Sequence, residues 1–201
     1  MVSSKQNVNT EEICKRLCGR IATNSSAEIV SLDFELRNTI IQKALTEFEN
    51  REDWSILSVK CKKNESIIFL LKSIAENVYT LQNQLKEKKA NLEDWVEKVH
   101  TKLNRKYERF INNQNLDGFD NGLQKYVETL KRDYGLNLIL LIEDFDSVSG
   151  SYTKVDFDSL RPYTDLFVIL VSSKCSIKEL EEEASGSAYV FNQFETYLED
   201  L

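Results

Sequence analysis

The chain has one proline and six glycines in 201 residues, and no glycine at all from residue 20 to residue 117. So few turn formers leave no Pro- or Gly-rich linker, and no segment repeats another. Histidine occurs once, at His100. One histidine cannot build a His-rich metal site, and no serine stands at a spacing from it that suggests an activated nucleophile. His100 lies beside an apolar helical stripe and reads as a surface or hydrogen-bonded residue rather than a ligand. The four cysteines, Cys14, Cys18, Cys61 and Cys175, form no CxxC pair, which argues against structural zinc. Cys14 and Cys18 stand four residues apart on one helix face and read as small core residues in a reducing, cytoplasmic setting. No apolar run approaches the ~18 residues a membrane span needs, and the N-terminus has no signal-peptide core, so no membrane partner is expected. Basic charge is also short: 26 Lys and Arg against 33 Asp and Glu give a net charge of −7 and a pI near 5.0. Such a balance argues against broad electrostatic binding to nucleic acid.

What is present suffices for one α/β domain with its own core: 41% of the residues are apolar and 29% charged. The most informative stretch is Leu136 to Val148, LNLILLIEDFDSV. An apolar run bounded by Gly135 and by Glu143, Asp144 and Asp146 reads as a strand buried on both faces, as in a parallel sheet. Acids just past the C-terminal end of such a strand sit where open α/β sheets bind ligands. They equally fit residues that only cap the next loop. An EF-hand is excluded, because it needs a longer acidic loop with a central glycine. Leu166 to Val171 (LFVILV) reads as a second buried strand, followed by Ser172 and Ser173. Shorter candidate strands are Glu28 to Leu32, Trp54 to Cys61 and Glu195 to Leu201.

Helical spacing fills the intervals. A helix capped by Asn9 or Thr10 carries Ile13, Leu17 and Ile21 on one face. Asp33 to Glu49 carries Leu36, Ile40, Ile41, Ala44, Leu45 and Phe48. Asn64 to about Lys88 and a helix capped by Asn91 follow, then a polar loop from Asn112 to Gly118. Leu123 to Tyr134 is a helix stopped by Gly135. Ser147 to Thr153 reads as a loop, Phe157 to Arg161 as a short helix, and Ile177 to Glu183 as a short acidic one. Strands alternating with helices predict a three-layer α/β domain around a mainly parallel sheet, with right-handed crossovers. Residues 1–27 are an N-terminal helix and lead-in, and residues 28–201 form the core.

From about Glu28 onward the chain resembles the ATPase domain of the STAND branch of P-loop ATPases, within the AAA-like superfamily. LILLIEDFDSV is similar to that group's Walker B strand. FDSLRPYTDLFVILVSSKCSIKELE is similar to the stretch leading to its sensor strand, with Leu160-Arg161 before the strand and Ile177 and Leu180 after it. The resemblance implies an ASCE-type sheet of order 5-1-4-3-2. It implies Glu143 as the magnesium ligand, Asp144 as the catalytic base and Ser172 or Ser173 as the sensor, with ATP and Mg²⁺ as cofactors of a working site.

The phosphate-binding loop departs from that pattern. An active member needs GxxxxGK[ST] between the first strand and the first helix, so that backbone N–H groups wrap the phosphates and a lysine neutralises them. Here SLDFELRN, Ser31 to Asn38, occupies the interval. Aligned on the helix, Arg37 takes the lysine position and Asn38 the hydroxyl position. Ser31 and Leu36 stand at glycine positions, and Asp33 and Glu35 would repel a triphosphate. The chain also reaches Leu201 without the helical lid that would close over adenine. The expectation is a degenerate, catalytically inactive domain without a cofactor, acting as a regulatory or protein-binding module with protein partners. The competing expectation is an ATP-binding and hydrolysing domain whose altered loop still uses Arg37, Asn38 and Ser172.

Overall fold

A computed structural model describes residues 10–63, 70–71, 73–74, 76–77, 81, 101, 105, 108–109, 117–148, 163–177, 179 and 195–197. Five strands make one sheet: β1 (Ala27–Val30), β2 (Trp54–Lys60), β3 (Asn137–Glu143), β4 (Val168–Ser173) and β5 (Glu195–Tyr197). Their order is β2-β3-β4-β1-β5, and every pairing is parallel. This is the expected order, read from the opposite edge. Because the strands are parallel, their C-terminal ends gather on one side, and the reversal of chain order around β1 and β4 marks the place for a ligand site.

Alternation along the strands divides the core in two. On β3, Ile139 and Leu141 face one side while Leu138, Leu140 and Ile142 face the other; on β4, Val168 and Leu170 oppose Ile169 and Val171. The first side is covered by α1 (Thr10–Ala22) and α2 (Phe34–Glu49), through Leu17, Ile21, Ile40, Ile41, Ala44, Leu45 and Phe48. The second is covered by α3 (Asp117–Tyr134) through Leu123, Tyr126, Val127 and Leu130, and by Leu70, Leu71, Ile74 and Leu81 of the preceding helical region. Burial on both faces explains why the β3 and β4 sequences are apolar without alternation. Cys14 and Cys18 face α2, with their sulfurs 3.7 Å from the carbonyl oxygens of Ile40 and Ala44. No helix among the described residues is long and apolar enough to cross a membrane.

Several boundaries move relative to expectation. α3 starts at Asp117, so Gly118 belongs to the helix and not to a loop. Gly118 is the second residue of the helix, so it stands in the first turn and escapes much of the penalty of about 1 kcal/mol that a helix-interior glycine carries. The helix ends as foreseen: Gly135 adopts φ +62°, and Leu136 donates its N–H to Leu130 O at 3.0 Å. β4 starts at Val168, two residues late, because residues 163–166 are helical and Phe167 donates to Tyr163 O at 3.0 Å. It therefore takes in Ser172 and Ser173. Ser147 lies in a 3₁₀ turn, Phe145–Val148, rather than in an open loop. His100, Asn91, Leu160, Arg161 and the Phe157 to Arg161 segment lie outside the described residues.

Candidate functional site

The C-terminal ends of β1, β3 and β4 meet the first turn of α2. That turn is capped from within: Asp33 accepts the Leu36 N–H at 3.1 Å, and its own N–H donates to Ser31 Oγ at 3.0 Å. The carboxylate thus takes a helix N-terminal donor that a phosphate would use in a P-loop. Leu32 and Phe34 flank it with exposed apolar side chains.

Arg37, one turn into α2, is wholly buried. Its Nε donates to Ser172 Oγ at 3.2 Å, and its Nη1 donates to the Ser31 carbonyl oxygen. Its Nη2 lies 3.6 Å from Asp144 Oδ1, an ion pair, and has no hydrogen-bond partner among the described residues. One guanidinium therefore touches the ends of β1, β4 and β3 together. An arginine is buried in this way only when its charge is matched, and Asp144 supplies the opposite charge.

Asp144 follows β3 directly and has φ +53°, in the left-handed region that aspartate tolerates better than most residues. Its second oxygen lies 3.1 Å from Lys60 Nζ at the end of β2. Arg37 and Lys60 both sit 5.7 Å from the centre of the Phe34 ring, within cation–π reach of its face. Glu143 turns the other way and accepts the Ser58 hydroxyl at 2.7 Å. Asp146 accepts the Lys174 N–H at 2.9 Å and pairs loosely with its ammonium group.

Of the residues singled out from sequence, Arg37, Ser172 and Asp144 come together. Glu143 is engaged with β2, and Asn38, half-buried on α2, joins none of these bonds. Among the described residues, no three His, Cys, Asp or Glu side chains are grouped so as to hold a metal ion. Lys60 was not foreseen, although its register opposite Glu143 puts it at the same strand end. Glu28 was not foreseen either. Buried in β1, it accepts the Ile177 N–H at 2.8 Å and the Thr196 hydroxyl, and so ties β5 and the turn after β4 to β1. Its sequence signal was an acid at the start of a short, mostly apolar strand. No protein-family model matches the chain, and no curated protein matches its sequence significantly.

Proposed function

We propose that this chain is a degenerate P-loop-like domain, resembling the STAND and AAA-like ATPases, that does not hydrolyse ATP and serves as a regulatory or protein-binding module. One observation carries the reading. The arginine in the position of the P-loop lysine is turned inward and spent on Ser31, Ser172 and Asp144, the chain's own groups. In a working site the lysine faces the phosphates, the acid holds or serves the metal and its water, and the sensor hydroxyl reads the γ-phosphate. Here the arginine itself holds the sensor hydroxyl and pairs with the acid. The N-terminal donor at Leu36 is taken by Asp33, and the loop has no glycine to bring its backbone close to a phosphate. The parallel sheet supports the P-loop-like part of the reading. Four free cysteines support a reducing, cytoplasmic setting.

Isothermal titration calorimetry with ATP, with and without magnesium, tests this reading. The expected result is no heat of specific binding up to millimolar ATP and no magnesium-dependent phosphate release. Micromolar binding weakened by Glu143→Ala, or hydrolysis abolished by Asp144→Asn, would overturn it in favour of an ATPase with an altered loop.

A further inference from the structure

A ligand bound at the C-terminal ends of parallel strands also holds those ends together. In this chain the same three ends are bridged by one side chain. Arg37 reaches β1 at the Ser31 carbonyl, β4 at Ser172 and the end of β3 at Asp144. The bridge is charged, buried and specific in shape, because a guanidinium offers a planar fork of five donors that an ammonium group lacks. Asp144, its counter-charge, is shared with Lys60 and stands in a left-handed conformation just past the strand.

We infer that the ends of β1, β3 and β4 form a guanidinium site filled in cis by Arg37, an internal ligand that latches this end of the sheet shut without any added molecule. The inference rests on the proposed inactive reading and gives it a mechanism: the latch occupies the ground that a nucleotide would otherwise hold. Lys60 belongs to the outer part of the device, since it balances the remaining carboxylate oxygen of Asp144 and remains largely exposed. The Phe34 ring stands 5.7 Å from each of the two cations.

Thermal unfolding tests the latch with a probe unrelated to nucleotides, so its failure is separate from failure of the inactive reading. Arg37→Ala removes the guanidinium and leaves Asp144 and Ser172 facing a cavity. Its Tm is expected to fall by about 5–15 °C, as for loss of one partner of a partly buried pair in a domain of this size. Methylguanidinium at 1–20 mM is expected to restore several degrees in Arg37→Ala and none in the wild type. Methylammonium at the same concentration should restore nothing, because it has the charge without the fork. Adding Asp144→Asn should abolish the rescue. A merely structural arginine would give the loss without the selective rescue, and that result would overturn the inference. So would equal stabilisation of the wild type, or equal rescue by methylammonium. If Arg37→Ala does not fold, a double-mutant cycle of Arg37→Gln with Asp144→Asn decides, since both changes keep most of the side-chain volume. The inference expects the double variant to lose clearly less than the sum of the single losses in Tm, and simple additivity overturns it.

Discussion

At the scale of single residues, the chain illustrates how burial changes the chemistry of a side chain. Cys18 faces α2, and burial together with a hydrogen bond to Glu47 pushes its thiol up to about 12. The thiolate is the reactive form, so very little of it exists at pH 8. Allowing for the greater nucleophilicity of a high-pKa thiolate, Cys18 should react with an aromatic disulfide roughly 10²-fold more slowly than an ordinary cysteine near pKa 8.5. Stopped-flow thiol titration of a variant that keeps only Cys18 checks this, and the rate should climb steadily from pH 8 to pH 11. Fast labelling at pH 8 would mean that the α1–α2 contact opens readily. Burial likewise raises the Cys14 thiol and the Tyr126 phenol. Arg37 is the opposite case, a charge kept inside by a matched partner. That it stands near the end of β1 was legible from sequence, because it lies in the first turn of the helix that follows that strand. Its inward direction was not, because sequence spacing does not distinguish an arginine that reaches for a ligand from one that reaches for its own strand ends.

At the scale of elements, the boundaries depend on caps that differ in how openly the sequence declares them. Gly135 was legible: it ends a helical stripe and precedes an apolar run, and it holds φ +62°. A Cβ placed there meets nothing within 4 Å among the described residues, so the expected penalty for Gly135→Ala is that of the backbone. That penalty should be about 1–2 kcal/mol, measured as a shift in the urea midpoint without a change of slope. Ser176 and Glu179 form a reciprocal cap, with the Ser176 N–H donating to Glu179 Oε2 at 2.9 Å and the Glu179 N–H donating to Ser176 Oγ at 3.3 Å. The Ser-x-x-Glu spacing is the sequence signature of such a cap, although from sequence the segment reads only as a short acidic helix beginning at Ile177. The start of β4 was misplaced for a related reason. Leu166 and Phe167 are as apolar as the strand they precede, and composition alone does not separate a short helical turn from the strand it leads into.

At the scale of the whole molecule, the parallel sheet was legible because two strands buried on both faces leave few other architectures. Glu28 was not, because its partners Ile177 and Thr196 lie 149 and 168 residues later in the chain. The centre of the sheet should also be where truncation hurts most. Leu140 in β3 is fully buried between β2 and β4, and Leu140→Ala should cost about 2–5 kcal/mol in chemical denaturation. A loss below 1 kcal/mol would mean that this layer of the core is loosely packed. The strand order has a further consequence in time. β1 is finished at residue 30, but its two neighbours are β4, which begins at residue 168, and β5, which begins at residue 195. At the usual pace of a ribosome, roughly 5–20 residues per second, the first strand waits on the order of 10 s with both edges unpaired. During synthesis β1 is therefore an interior strand in search of its sheet, and α1 and α2, the helices that cover its face of the sheet in the finished fold, are already made to shield it.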